Sequence, residues 1–276
     1  MDKIKMGYVG CGFMAQTVHI PNILNTPDIE LVAIAEVREK LGKKIQEKYK
    51  IPKLYKDHLS LAQDPEITAI GVSGHFVSQG EIAADLLLAG KNVFMEKPMA
   101  VSVKQAEKIL EAEKNGGGRL MVAYMKRYDT GNELTKKIID EFKQTGDLGK
   151  IIYVRNHGFC GGSWTAGGDF RYETTDEPIP TTPEIKIDWL PGKYTNQYID
   201  YLQQYTHNIN LIRYFLDADR TPEVKFVELD TNSYTGIVIF EVNGIRAVIE
   251  SGTSSYYGWE EHTQVYFEHG WVKVSS

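Results

Sequence analysis

Residues 3–15 read Lys3-Ile4-Lys5-Met6-Gly7-Tyr8-Val9-Gly10-Cys11-Gly12-Phe13-Met14-Ala15. Lys3–Val9 has the apolar run of a short buried strand, and it passes straight into a G-x-G-x-x-A turn at a helix start. Such a turn receives a dinucleotide pyrophosphate. The first glycine permits the tight turn, the second lets the backbone approach the phosphates, and the third position is small so that helix and strand pack closely. The helix N-terminus turns N–H groups and the positive end of its dipole toward the anion. Leu31-Val32-Ala33-Ile34-Ala35 is a second apolar strand. It ends at Glu36, about 20 residues beyond Ala15, which is the spacing expected of the ribose-binding acid. A carboxylate there accepts from the adenosine ribose hydroxyls and repels a 2′-phosphate, so the pattern favours NAD. Arg38, two residues on, is able to pair with a 2′-phosphate and keeps NADP open.

Working outward, the 276 residues are 42% hydrophobic and 25% charged, enough for two domains with cores of their own. A net charge of −6 and a pI near 5.7 give no electrostatic footprint for nucleic acid or an anionic membrane, and neither is expected as a partner. The most basic run, Arg38–Lys50, alternates with acids as a solvated helix face does. The two cysteines are Cys11 and Cys160. Cys11 sits in the glycine turn, which fits a reducing cytoplasm better than a structural disulfide. No signal-peptide pattern opens the chain, and no apolar run approaches the ~18 residues that span a bilayer.

Residues 1–124 alternate strand and helix. After the first two strands come a helix at Arg38–Lys50, strands at Lys53–Tyr55 and Ile67–Val72, and a helix at Glu81–Ala89. A strand at Asn92–Met95, a helix at Ser102–Lys114 and a strand at Leu120–Tyr124 complete the unit. This order implies a parallel sheet covered on both faces. Residues 125–276 read differently. Tyr128–Thr145 is helical and Lys150–Asn156 is a strand. A long Gly-, Thr- and Pro-rich stretch, 157–196, is of the kind that shapes a pocket, and Gln197–Leu216 is an apolar helix. Strands follow at Val224–Leu229, Gly236–Val242, Ile245–Ser251, Thr263–Glu268 and Trp271–Val274, with a hairpin signal at Asn243-Gly244. The fold class expected is an α/β Rossmann nucleotide-binding domain, 1–124, followed by an α+β domain, 125–276, with a large, mostly antiparallel open sheet.

Glu96-Lys97-Pro98 follows the fifth strand, at the edge where ligands bind in such sheets. Lys97 is placed to donate to a substrate hydroxyl or carbonyl and to relay a proton; the plainer alternative is a solvated lysine before a turn. His207 lies inside the apolar helix, with Gln203 four residues before it and Asn210 three after, all on one helical face. A polar stripe on a buried helix needs partners or a ligand, and a satisfied core histidine is the alternative. Trp164, Tyr172, Trp189, Tyr194, Tyr256, Tyr257 and Trp259 crowd the second half, able to stack on a sugar ring or to anchor core and loops.

Three strings carry a family resemblance. They are Gly10-x-Gly12-x-x-Ala15, the segment Gly90-Lys91-Asn92-Val93-Phe94-Met95-Glu96-Lys97-Pro98, and Gly146-Asp147-Leu148-Gly149-Lys150-Ile151. In this order they resemble the Gfo/Idh/MocA oxidoreductases, the glucose-fructose oxidoreductase and inositol dehydrogenase relatives. The resemblance implies hydride transfer between a nicotinamide and a sugar, cyclitol or similar polyol. Lys97 then matches the family's catalytic lysine, with a cis bond before Pro98, and His207 its histidine in a D-x-x-x-H-x-x-D pattern. Gln203 and Asn210, the substrate-binding candidates, stand in place of that pattern's aspartates. Gln203 holds a hydroxyl by hydrogen bonds but exchanges no proton. The segment Ser73-Gly74-His75-Phe76-Val77-Ser78-Gln79 departs from the family's usual T-P-x-x-x-H turn.

The cofactor-binding set expected is Gly10, Gly12, Phe13, Met14, Ala15, Glu36, Arg38, Ser73, Glu96 and Lys97, and no metal is expected. Ser276 comes some tens of residues before most relatives end, so the second domain is expected to be short at its C-terminus. Relatives pair through the open sheet, which implies a homo-oligomer here. Two other functions fit the same resemblance: an NAD-binding sensor or regulator without turnover, and a glycosidase-type relative that uses NAD transiently.

Overall fold

The computed structural model describes residues 3–161, 168–182, 184–185, 187–218, 220–230, 235–255 and 258–275. Two compact units emerge: Met1–Ala123 with Asp169–Ile187, and Tyr124–Gly168 with Asp188–Ser276.

In the first unit the apolar runs become parallel strands because both faces of each are covered. β1 (Ile4–Val9) leads through the glycine turn into a π-helical turn, Ala15–His19, and α1 (Ile20–Leu24). Then follow β2 (Ile29–Ala35), α2 (Glu39–Tyr49), β3 (Lys53–Tyr55), α3 (His58–Ala62), β4 (Ala69–Val72), α4 (Phe76–Leu88), β5 (Asn92–Met95), α5 (Val103–Gly116) and β6 (Leu120–Val122). The sheet order is β3-β2-β1-β4-β5-β6, with every pair parallel. Alternation along the strands feeds two cores. Tyr8 and Ile34 pack with Ile20, Leu41 and Ile45, while Val9, Ala35 and Val72 pack with Leu61, Leu86 and Ile109. Ser102 caps α5 by accepting from Gln105 N, as its place before the helix predicts. α4 starts five residues before the expected Glu81. The ring of His75 accepts from Val77 N at 3.4 Å and so supplies the missing N-cap.

The second unit begins with a 3₁₀ turn at Met125–Tyr128, then α6 (Thr130–Thr145) and β7 (Ile151–Gly161), which ends five residues later than the sequence suggests. α7 (Thr195–Asp200), a π-helical turn at Tyr201–Tyr205 and α8 (Thr206–Phe215) replace the single expected helix. β8 (Glu223–Leu229), β9 (Thr235–Val242), β10 (Ile245–Ser255), β11 (Glu260–Phe267) and β12 (Gly270–Ser275) follow. The order β12-β11-β7-β10-β9-β8 is antiparallel except between β7 and β10. Asn243 and Gly244, at φ 50° and 78°, make the two-residue hairpin between β9 and β10. One sheet face carries Val154, Phe240, Ile249 and Val265 against Ile139 of α6 and Leu211, Ile212 and Phe215 of α8.

The described part of the stretch expected to shape a pocket is thus divided. Its residues up to Gly161 extend β7, and 169–187 belong to the first unit. Trp164, Tyr256 and Tyr257 lie outside the described residues. Among the described residues no helix is long and apolar enough to cross a membrane.

Candidate active site

Four residues just beyond four strands are stitched side by side in the first unit. Gly10 N donates to Ala35 O (2.9 Å), Glu36 N to Tyr55 O (3.1 Å), Ser73 N to Val9 O (3.1 Å) and Glu96 N to Val72 O (2.9 Å). The parallel register therefore brings the glycine turn, the acid after β2, Ser73 and the Glu96-Lys97-Pro98 segment to one edge, the C-terminal edge of the sheet. Gly10 has φ +90°, and a Cβ there would lie 2.7 Å from Ser73 O. A Cβ on Gly12 would meet nothing within 4 Å. The turn is closed on its strand side and open beside Gly12, as approach of a pyrophosphate requires. Phe13, Met14 and Ala15 continue it into the helix, with Ala15 fully buried.

Glu36 is 6% exposed, and its carboxylate is fully engaged. It accepts from Cys11 N (2.8 Å), tying it to the glycine turn, and from Arg38 N (3.1 Å), Nε (2.8 Å) and Nη2 (3.0 Å). The Arg38 guanidinium is thus forked onto Glu36 rather than presented as a free cation. Burial, reinforced by the Glu36 charge, pushes the Cys11 thiol well above its ordinary range, so Cys11 is an inert packing residue.

Lys97 sits in a framework that sequence reading only partly anticipated. The peptide bond to Pro98 is cis, as the resemblance implies. Gln79, 1% exposed, donates through Nε2 to Glu96 O (2.9 Å) and Pro98 O (2.7 Å), clasping the segment on both sides of Lys97. The Glu96 carboxylate accepts from Lys97 N (3.1 Å) and pairs with His19 Nε2 (2.8 Å). The His19 ring stacks on Tyr8 and meets the edge of Phe94. Burial lowers the Lys97 ammonium pKa below the usual lysine range, and the Glu96 charge opposes this. A half-buried lysine that gives up its proton more readily is what general-base work demands. His19 and Gln79 are site residues that sequence reading missed; Gln79 closes the Ser73–Gln79 segment that departs from the family's usual turn, and His19 lies in no motif with a local spacing signal.

Residues 169–177 lie along α2 and the glycine-turn helix. Phe170 and Tyr172 meet Phe13 edge-on, at 5.7 and 5.1 Å between ring centres. Gln16 bonds Glu173 through both its amide groups, Nε2 to Glu173 O at 3.0 Å and Oε1 from Glu173 N at 2.7 Å.

In the second unit His207 is 6% exposed on α8. Its neighbour Asn208 docks that helix on the sheet, donating to Asn156 Oδ1 (2.7 Å), while Asn156 donates to Thr263 Oγ1 (2.7 Å). Lys126 and Glu261, 8% and 7% exposed, form an ion pair at 2.7 Å in the same cluster. Asn210 Oδ1 accepts from Arg127 Nε at 2.6 Å. Gln203 falls in the π-helical turn and is exposed, so the three polar residues differ in burial in a way the α-helical spacing does not convey. Among the described residues no group of three or more His, Cys, Asp and Glu is placed to hold a metal ion.

Residues 4–124 match the model of the oxidoreductase family with an NAD-binding Rossmann fold. The inositol 2-dehydrogenase of Salmonella typhimurium is 26% identical over 280 residues, covering 98% of this chain and 74% of that protein. Among solved structures, the myo-inositol dehydrogenase of Lactobacillus casei in complex with NAD(H) and myo-inositol superposes with a TM-score of 0.77 at 20% identity. It covers 99% of this chain and 74% of its own. The WlbA dehydrogenase of Bordetella pertussis, in complex with NADH and UDP-GlcNAcA, gives 0.75 at 18% identity, with 99% and 78% covered.

Proposed function

We propose that the chain is an oxidoreductase of the Gfo/Idh/MocA type that oxidises a secondary hydroxyl of a cyclitol or related polyol with NAD, a reading supported by the family match over residues 4–124 and by the inositol dehydrogenase relatives. The observation that carries this reading is Lys97, clasped by Gln79 and Glu96 at the same sheet edge as the glycine turn, with its ammonium pKa depressed. The open side of Gly12 and the buried Glu36 fit the pyrophosphate and the adenosine ribose, with Gly10, Phe13, Met14, Ala15, Ser73 and Glu96 completing that edge. Bound NAD supplies the hydride acceptor. Lys97, as the neutral amine, accepts the proton of the reacting hydroxyl at Nζ. Glu96 and Gln79 hold the Lys97 backbone and limit the positions that Nζ reaches. His207 is the second acid–base group, and Gln203 and Asn210 orient neighbouring hydroxyls by hydrogen bonds.

The test is Lys97→Met. NADH formation from myo-inositol is expected to fall about 10²–10⁴-fold, the usual contribution of general acid–base catalysis, while NADH binding persists. Undiminished turnover would refute the role of Lys97. A second reading, an NAD-binding sensor without turnover, draws on Gln203, whose amide offers no titratable proton. It predicts tight NADH binding with no NADH formed from any polyol. Cleavage of a glycoside at catalytic NAD would select the glycosidase-type chemistry instead. Two free, buried cysteines support a reducing, cytoplasmic setting. The exposed apolar side chains of β8, Val224, Phe226 and Val227, support self-association through the second sheet.

A further inference from the structure

α2 starts immediately after the strand end where a Rossmann fold places the adenosine ribose. Its N-cap residue is Arg38, whose side chain has no acceptor, and it makes no side-chain cap bond. The N–H groups of Lys40 and Leu41, which a Ser or Asp cap ordinarily satisfies, need an acceptor from elsewhere. Glu177 provides it from far along the chain. Its Oε1 accepts from Lys40 N at 3.1 Å and its Oε2 from Leu41 N at 3.2 Å. Thr175 Oγ1 donates to the same Oε2 at 2.9 Å and orients the carboxylate. Lys40 Nζ on Asp176 (2.9 Å) and Lys44 Nζ on Thr174 O (2.8 Å) pin the flanking backbone.

At this strand end, two groups have the chemistry to receive the 2′-phosphate of NADP: the N-terminus of α2 and the Arg38 guanidinium. Both are already held by carboxylates of the chain itself, the helix by Glu177 and the arginine by Glu36. We infer that Glu177 is a cofactor-selectivity residue, which bars a 2′-phosphate from the N-terminus of α2 while leaving a 2′-hydroxyl unopposed. The inference rests on the reading of this edge as the dinucleotide site. It adds to Glu36 a second acid, one that no spacing rule places near the nucleotide.

The test is titration of the full chain with NADH and with NADPH, followed by nicotinamide fluorescence, for the unsubstituted protein, Glu177→Gln and Glu177→Ala. Gln keeps an acceptor for the helix and drops the charge; Ala drops both. The unsubstituted protein is expected to prefer NADH. Both variants should reduce that preference by about tenfold, the effect of removing one like charge several ångströms from a phosphate in a partly screened site. The change should fall on the NADPH dissociation constant, with that of NADH unaltered. An unchanged ratio, or equal weakening of both dinucleotides, overturns the inference while leaving the NAD site standing. Failure of the unsubstituted protein to bind either dinucleotide overturns the inference and the reading beneath it together.

Discussion

Replacing Glu261 by Gln changes one buried charge in the second unit and little else in shape. In the native protein Glu261 Oε2 lies 2.7 Å from Lys126 Nζ, and both residues are less than one-tenth exposed. The other oxygen, Oε1, is 3.5 Å from Asn208 Nδ2, next to His207. Breaking a buried ion pair from one side costs about 3–5 kcal/mol, because the remaining charge stays out of water without a counter-ion. Gln retains an acceptor for Lys126, worth about 1 kcal/mol, which places Glu261→Gln near 3 kcal/mol of destabilisation. The double variant Lys126→Met with Glu261→Leu removes both charges and is expected to lie within ~1 kcal/mol of the native protein. The described tryptophans, Trp189, Trp259 and Trp271, fall within the second unit, so their emission reports that unit during urea unfolding. At a slope of about 2 kcal/mol per molar, Glu261→Gln moves the midpoint by ~1.5 M. A loss below about 1 kcal/mol in Glu261→Gln, or a double variant as unstable as the single, would refute the reasoning.

Gln79→Ala leaves the carbonyls of Glu96 and Pro98 without their donor, at about 1–3 kcal/mol of stability for the pair. Its kcat is expected to drop at least about tenfold from misplacement of Lys97, with NADH affinity retained, as steady-state kinetics and NADH titration will show. Oxidation needs neutral Lys97, so kcat/KM should rise with pH through a pKa below that of an ordinary lysine, since burial lowers it. Glu96 holds that pKa up, so Glu96→Gln should move the rising limb to lower pH; a limb that stays or moves higher contradicts the assignment. Asp64 accepts from Lys53 Nζ, Glu66 N and Tyr55 OH, and these bonds, Lys53 foremost, lower its pKa from 3.8 to about 2. The associated stability is complete above pH 3.8 and disappears as pH falls through about 2. With Lys53 one-third exposed, screening limits it to about 1 kcal/mol, so Asp64→Asn should cost that much at neutral pH and nothing below pH 2, by circular dichroism.

Much of the site's first half was legible in the sequence because its signals are local. The step from β1 to Gly10, the interval to Glu36 and the string ending at Lys97-Pro98 are each set by a strand, a turn and a helix of ordinary length, and strand register then brings them to one edge. The Asn243-Gly244 hairpin was legible for the same reason, two positive-φ residues between apolar runs. The start of α4 was less so, since a histidine ring serves as its cap, and the π-helical turn before α8 has no composition that marks it.

What only the tertiary structure decided are the contacts made across long stretches of chain. Glu177 meets the N-terminus of α2 from 137 residues away, and Lys126 meets Glu261 across 135. No periodicity records such a pairing, because the free energy that selects it is the avoided desolvation of an unpaired charge or N–H group, which exists only once the chain has folded around it. The sequence by itself pointed to a G-x-G-x-x-A turn, an acid at the end of β2 and a candidate base. The fold determined that Arg38 faces Glu36, that Gln79 clasps Lys97, and that a distant carboxylate guards the helix beside the nucleotide edge.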